Sequence, residues 1–491
     1  MVKQSAIKIG ILGGGITGLI AAKSVCDAKL SPTPEISVYE KNSVPGGLMR
    51  STIANNCCWD NGMFKFTRSD YLVRLFPELF EDIEDCRQKV WRGGKLSDFP
   101  FRLNYYLKTE SKISLIPTIL DYGYSNCCRL MGLGEANLYK WPRYRLTKRM
   151  LSRAGLEQYM FKLQGYPPSL LSARLGEDRL GHISINTKPG RLIKLLLAKK
   201  QNNTKKPKLV VAKPEFLGIG AIAGKLADLC SAKGVKIFYD SPVTKISHSR
   251  GSNYEIQIRH GDKLTNYPAD YIISTMPLNK LIEAGQSMFS DECIAIAKEL
   301  SFMDMYLALF IINKPKLSHR HLIIYSFDKN HKWKRLVARS LPDGTTSIVV
   351  EYTFPKNTTV PRGEYMKSVT FDLVEELKLF NYNDIILNRT ATVPNAYPIY
   401  KLGFENNVSQ LQDYIHEQRL ISAGRQGQFR YIGSPDAVNH GIVAANKIIH
   451  FIKHGYLKYP RPRQSLSGIK QPHPKTAITA RVQYDKILEN K

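Results

Sequence analysis

Ile7-Lys8-Ile9-Gly10-Ile11-Leu12 runs straight into Gly13-Gly14-Gly15-Ile16-Thr17-Gly18, and that into Leu19-Ile20-Ala21-Ala22-Lys23. The first run predicts a short buried strand, the last the opening of a helix, and the glycines a tight turn between them. A second strand is predicted at Ile36-Ser37-Val38-Tyr39. It ends on Glu40, 22 residues after Gly18. Strand, glycine turn, helix, strand and acid, in that order, make a site for the diphosphate and ribose of a dinucleotide.

The chemistry asks for these residue types. Gly13 allows the tight turn, Gly15 lets the backbone approach a pyrophosphate, and Gly18 lets the helix pack close to the strand. The helix N-terminus offers free N–H groups and partial positive charge to the phosphates. Glu40 can accept hydrogen bonds from the adenosine ribose hydroxyls, and its charge disfavours a 2′-phosphate, which argues against NADP. Beyond it comes Lys41-Asn42-Ser43-Val44-Pro45-Gly46-Gly47-Leu48-Met49-Arg50-Ser51, with a second glycine pair, and then Asp60-Asn61-Gly62.

In these segments the chain resembles the flavoprotein superfamily of amine oxidases, protoporphyrinogen oxidases, phytoene desaturases and UDP-galactopyranose mutases. The resemblance implies FAD. It also implies an α/β fold: a Rossmann-like FAD-binding domain of the amine-oxidase type, assembled from discontinuous segments, with an inserted α+β substrate domain. Carried over position by position, it implies cofactor contacts at Gly13, Gly15, Ile16, Thr17, Gly18, Glu40, Lys41, Gly46, Gly47 and Leu48. Val243 matches the valine whose backbone lies beside the adenine, and Thr275 ends a strand near the cofactor. Gly424, Arg425, Asp436, Ala437 and Val438 match the last return of the chain to the flavin.

The expected organisation is 1–88, 209–278 and 396–450 for the cofactor domain, 89–208 for an inserted region, 279–395 for a substrate-side sheet, and 451–491 for a basic tail. Strands are expected at Met305–Ile312 and Thr346–Tyr352, and helices at Ala221–Ala232 and Ala437–Ile449. Within the superfamily the middle and end resemble the UDP-galactopyranose mutase-like subgroup, which includes relatives in bacterial polysaccharide pathways. The residues that carry this are Phe99-Pro100-Phe101-Arg102-Leu103-Asn104, Lys162-Leu163-Gln164-Gly165, Pro394-Asn395-Ala396-Tyr397-Pro398-Ile399-Tyr400 and Gly424-Arg425. The chain departs from the true mutases where their Trp-Gly is Gln164-Gly165, and where the glycine and histidine after Asp-x-Gly are Met63 and Phe64. Candidate substrate contacts are Arg339, Tyr397 and Tyr400, with Arg174 and Arg179 as further arginines able to neutralise a diphosphate.

With 491 residues and 43% hydrophobic composition the chain can build two or three domains around extensive cores. It contains no run of 18 apolar residues, and structure begins too early to leave room for a cleaved leader. A cytoplasmic protein is expected. The eight cysteines are scattered and read as reduced thiols, and no histidine cluster has metal-ligand spacing, so no metal is expected. The net charge is +29. Lys140, Arg143, Arg145, Lys148, Arg149 and Arg153 fall in one acid-free tract, and 199–208 and the tail are basic as well. No nucleic-acid-binding module accompanies this charge, so nucleic acid is not expected as a partner. An anionic membrane surface and an anionic small-molecule substrate such as a nucleotide sugar both remain. Three functions stay open on sequence. The expected one is a flavin oxidoreductase taking hydride from its substrate. The alternative is a redox-neutral isomerase acting on a nucleotide sugar with reduced FAD. The third is a flavin-bound protein with a binding role only.

Overall fold

The computed structural model describes residues 6–62, 65–83, 86–98, 112–131, 133, 137–145, 148, 151, 155–179, 209–213, 218–249, 253–313, 321–355 and 361–454. The segment 99–104, Met63 and Phe64, Arg149 and Arg153, the basic stretch 199–208 and the tail from 455 onward lie outside the described residues.

The predicted opening is present. The strand Lys8–Leu12 leads through the glycine turn into the helix Ile16–Asp27, and the second strand is Glu35–Tyr39. These strands sit at the centre of a five-stranded parallel sheet. Its order is Lys236–Phe238, Glu35–Tyr39, Lys8–Leu12, Tyr271–Ser274, Ile421–Ser422. The strands come from four separate stretches of sequence, so the fold is α/β with a discontinuous cofactor domain. All the described strand carboxyl ends point the same way, so Leu12, Tyr39, Ser274 and Ser422 meet along one edge. Ligands of open parallel sheets bind outside that edge.

The helix Ile16–Asp27, the helix Ile219–Ala232 and the closing helix Ser434–His454 bury Leu19, Ile20, Leu226, Ala444, Ala445 and Ile448 in one core with this sheet. The first and closing helices approach closely because Gly441 faces Thr17. A Cβ at Gly441 would lie 2.6 Å from the Thr17 carbonyl oxygen.

A seven-stranded sheet forms the other half. Its order is Ile385–Pro398, Phe302–Asn313, Thr345–Pro355, Arg335–Ser340, His321–Ser326, Cys86–Arg92, Lys95–Asp98. The pairing is antiparallel except between His321–Ser326 and Cys86–Arg92, which run parallel. Both strands expected in this region are present, and each extends beyond the predicted ends. The chain stretch opening the expected insertion thus supplies the last two strands, one of them the edge, to a sheet built mainly from residues 302–398.

Period-two alternation gives this sheet two faces. Leu322, Ile324, Leu336, Ala338, Ile348 and Val350 pack on one side, against Tyr365 and Leu373 of the helical segment 362–376. Ile323, Val337, Val349, Leu307 and Leu309 face the core shared with the helix Leu156–Gln164 and the segment 396–431. A three-stranded antiparallel sheet, Val243–His248, Tyr254–His260 and Lys263–Ala269, packs beside the parallel one.

Candidate flavin and substrate site

The glycine turn and the second glycine pair lie on each other. Gly46 donates its N–H to the Gly14 carbonyl at 2.9 Å, and Gly15 and Gly46 form a parallel bridge. A Cβ on Gly47 would stand 3.3 Å from the Gly15 Cα. Two backbone segments can approach this closely only where side chains are absent. Gly13 has φ +111, and a Cβ there would meet the Thr275 hydroxyl at 2.4 Å. Thr275 donates that hydroxyl to the Leu12 carbonyl at 3.0 Å, which places it at the turn.

The first helix has Gly15 at its N-cap, no side-chain cap and no acid in its first turn. Its leading N–H groups are therefore not taken by a side chain, and the helix dipole adds positive potential there. Glu40 is buried, 4% exposed. One carboxylate oxygen accepts the Gly14 N–H at 2.8 Å, and the other accepts the Asn42 N–H at 3.0 Å. The acid is thus fixed beside the turn with lone pairs to spare for hydroxyl donors. Glycine cradle, free amide N–H groups and fixed acid together fit a dinucleotide.

The other candidate positions distribute around this cradle. Ile16 is buried, Leu48 is half-buried and Lys41 is exposed. Val243 opens its strand opposite Ile258, next to the end of Glu35–Tyr39, since Ser241 N–H bonds to the Glu40 carbonyl at 2.9 Å. Thr17 donates its hydroxyl to the Ala437 carbonyl at 3.0 Å. Gly424 sits over the same threonine, with φ +81 and a Cβ position 2.9 Å from its hydroxyl. Val438 is buried, while Asp436 is exposed in the first turn of the closing helix.

Asp60 of the Asp-x-Gly segment has a structural task. Its carboxylate accepts the Ile219 N–H and the Ser51 hydroxyl, both at 2.9 Å, so it caps the helix Ile219–Ala232. Burial still pushes its carboxyl above the usual range, against the pull of these donors.

Arg425 leaves the cradle one residue after Gly424 and enters a second cluster. Its Nε donates to the Ile432 carbonyl at 2.9 Å and its Nη1 to the Ala396 carbonyl at 3.2 Å. Its guanidinium lies 5.3 Å from the rings of both Tyr397 and Tyr431, which stack on each other at 4.7 Å. Lys334 stands 4.1 Å over the Tyr397 ring and Arg179 stands 4.3 Å over the Tyr431 ring. Arg335 donates to Glu351 at 3.0 Å, and Lys334 is 3.5 Å from the other oxygen of that carboxylate. Tyr159 and Tyr325 pack edge to face at 6.0 Å, and Tyr325 lies opposite Arg335 in the sheet.

Three cations therefore meet around one aromatic pair, and a fourth, Arg335, joins Lys334 on the carboxylate of Glu351. Burial favours the neutral form of Glu351, but Arg335 and Lys334 more than reverse this and hold it below the usual range. Burial lowers Lys334 to about 8. The Nε of Arg179 is buried and has no hydrogen-bond partner among the described residues. An orphaned guanidinium N–H in a cation-rich chamber suits an anionic ligand.

The three sequence candidates for substrate contact separate here. Tyr397 belongs to the chamber. Tyr400 lies behind it: its hydroxyl donates to Asp178 at 3.0 Å and accepts the Tyr431 N–H at 2.7 Å. Gln164 holds the same segment, donating to the Pro398 carbonyl and accepting the Tyr400 N–H at 3.0 Å. Arg339 faces the same side of the sheet as Arg335 but four residues along the strand, roughly 13 Å away. It pairs with Glu81 at 2.6 Å and lines a separate pocket with Cys58, Asp60, Lys65 and His321. Of the other arginines, Arg174 is bound to Asp178 and Arg179 joins the chamber.

The chamber residues not foreseen are Lys334, Arg335, Glu351, Tyr325 and Tyr159. A signal for three of them exists in the sequence. Tyr325, Arg335 and Glu351 are polar positions in otherwise apolar alternating strands, and the registers Tyr325↔Arg335 and Arg335↔Glu351 place them in one row.

No metal centre was expected, yet His331, Asp372 and Glu376 bring one ligand atom each within 4.8 Å of the others. Protein partners engage these groups: Ser326 bonds His331 at 3.0 Å, His331 bonds Glu376 at 2.8 Å, and Trp333 donates to Asp372 at 2.9 Å. All eight cysteines are free thiols.

The sequence profile of flavin containing amine oxidoreductases matches residues 16–298, more than half the chain. The chain belongs to that family, and it is accordingly a flavin-dependent enzyme. No curated protein sequence matches it. Among solved structures it is similar to a reduced UDP-galactopyranose mutase, with a TM-score of 0.72 at 18% identity over 91% of this chain and 96% of that one. It is also similar to a putative protoporphyrinogen oxidase from Exiguobacterium sp. 255-15, with 0.66 at 15% over 90% and 99%. A CLA-producing fatty acid isomerase from P. acnes gives 0.58 at 12% over 92% and 100%. These likenesses are of fold. No described helix is long and apolar enough to cross a membrane.

Proposed function

We propose that the chain is a cytoplasmic FAD-dependent oxidoreductase whose substrate is a small anion. The observation that carries this reading is the convergence of Arg179, Lys334 and Arg425 on the Tyr397–Tyr431 stack, with Arg335 beside Lys334 on Glu351, one residue from the glycine cradle. FAD, when bound, would supply the acceptor for a hydride from a C–N, C–C or C–O bond of the substrate, with oxygen or another acceptor as the final oxidant. The protein supplies the rest. Gly13, Gly15, Gly46 and Gly47 with the first helix would hold the diphosphate, and Glu40 would hold the ribose. The chamber cations bind and orient the substrate's negative charge. The tyrosine faces keep water from the reacting end and make each nearby cation–anion contact stronger.

The same chamber supports a second reading, a redox-neutral isomerase of a nucleotide sugar. Cations placed on tyrosine faces suit a diphosphate as well as any carboxylate. One experiment separates the two. Oxidised holoenzyme is mixed anaerobically with candidate anionic amines, porphyrinogens and UDP-sugars. Bleaching of the flavin by substrate alone supports the oxidoreductase. Conversion of a UDP-sugar only after dithionite reduction sinks it in favour of the isomerase. Colourless protein after saturation with FAD sinks both.

A further inference from the structure

The helix Lys112–Leu130 exposes the wrong side for a helix of a free-standing protein. Among the positions of this helix whose burial is described, the exposed ones are 116, 120, 123, 124, 127 and 130, continued by 131 in the following turn. They recur at the spacing of one helical face, and none is charged. The large ones are Ile116, Leu120, Tyr124, Leu130 and Met131, with Leu120 69% and Leu130 84% exposed. The inward positions Ser125 and Cys128 are buried and small. A surface helix ordinarily arranges these types the other way round.

Beside this stripe lies positive charge. The short helix Lys140–Arg143 begins ten residues after Leu130, and Tyr144 at its end, with Arg143 5.9 Å from its ring, lies within electrostatic reach of Tyr124. Lys140 and Arg143 are half-buried there and Lys148 is exposed, in a tract with six basic residues and no acid. A second copy of the chain fits this surface poorly. A two-fold contact would set each basic flank against its own copy. An anionic bilayer fits both parts, with apolar side chains at the acyl boundary and lysine and arginine at the headgroups.

We propose that the helix Lys112–Leu130 and its basic flank form a docking surface for anionic membranes, with the helix lying in the plane of the interface. At 1.5 Å per residue it is about 28 Å long, enough to lay five large apolar side chains on the lipid. The surface shares no residue with the glycine cradle or the chamber, so docking does not depend on the substrate assigned to the chamber.

The test uses the full-length, flavin-loaded protein with vesicles of phosphatidylcholine, alone or with phosphatidylglycerol. Because other basic segments will also attract anionic vesicles, the readout must belong to the helix. Leu120→Trp is expected to shift its emission to the blue with anionic vesicles and to be quenched by bromine-labelled acyl chains. The double variant Leu120→Glu/Leu130→Glu is expected to keep its flavin absorbance and to bind those vesicles about tenfold or more weakly at physiological salt. An indole at 120 that stays unquenched, or a double variant that binds as the parent does, overturns the proposal. So does a dimer of the parent that the double variant dissolves, because the stripe then belongs to a second copy.

Discussion

The Thr17 hydroxyl donates to the Ala437 carbonyl at 3.0 Å, joining the start of the first helix to the first turn of the closing helix across 420 residues of sequence. The same threonine underlies Gly424 and, through its carbonyl, Gly441. One residue, through its side chain and its carbonyl, thus seats the closing helix against the glycine cradle. It also sets where Arg425 leaves the cradle for the chamber.

Gly441 should therefore tolerate no side chain. Its added Cβ would lie 2.6 Å from a backbone oxygen and 3.0 Å from Ile20, with no flexible end to move aside. Gly441→Ala is expected to cost about 1–3 kcal/mol by overpacking. Flavin should be lost with it, because the two helices part at the cofactor. Thermal unfolding and the ratio of flavin to protein absorbance check this. A variant with parental melting and full colour contradicts the account of the helix contact.

Glu40 joins fold to cofactor in a different way. Glu40→Ala leaves the buried Gly14 N–H without its acceptor, at a cost of about 1–3 kcal/mol. Glu40→Gln keeps an acceptor oxygen for the turn but removes the charge that favours hydroxyl donors. The expectation is a folded Glu40→Gln protein with weakened FAD affinity, and a Glu40→Ala protein weakened in both respects. Titration of the apoprotein with FAD, beside a denaturant melt, distinguishes them. Equal FAD affinity in all three proteins removes Glu40 from the ribose site.

The cradle was legible in the sequence because its determinants are local. The glycines, Glu40 and the two strands lie within 40 residues, and each is fixed by backbone sterics or by a short apolar run. The closing helix was legible for the same reason. The chamber was not, because its geometry is a matter of register between strands far apart in sequence. Arg335 and Arg339 point to the same face of one strand. Only the pairing of Arg335 with Tyr325 and Glu351 shows which of them shares a carboxylate with Lys334, the lysine over Tyr397. Tyr397 and Tyr400 likewise share one segment, and only the bond to Asp178 and the bond from the Tyr431 N–H show that the Tyr400 hydroxyl is taken up by the fold.

Glu351 is the compensating charge of the chamber, and its side chain is fully buried. Glu351→Gln leaves Lys334 and Arg335 without it, an expected loss of about 3–5 kcal/mol. The sign with pH follows from the direction of its shift. Its carboxyl is held below the usual range in the folded protein. Its stabilisation is therefore complete above the unfolded value of about 4.3 and is lost as pH falls through the lower folded value. Melting temperatures below pH 5 should fall less steeply in Glu351→Gln than in the parent. Parallel acid profiles would mean that the pair contributes nothing to folding.

Lys334 gives the chamber a pH limit on its alkaline side. Burial holds its ammonium at about 8, so the group is charged below that pH and neutral above it. For folding, the unfolded lysine near 10.4 binds more protons than the folded one between these values, so this residue's contribution to stability rises with pH across that window. For binding, the direction is opposite. An anion gains from the charged form, so affinity for a nucleoside diphosphate should fall as pH rises through about 8, by up to about tenfold per unit where binding needs that charge. Lys334→Met should bind more weakly at pH 7 and lose this alkaline limb, while FAD affinity stays as in the parent. Calorimetric titration from pH 6.5 to 9.5 measures both. An alkaline limb that persists in Lys334→Met assigns the titration to another group and takes Lys334 out of the anion site.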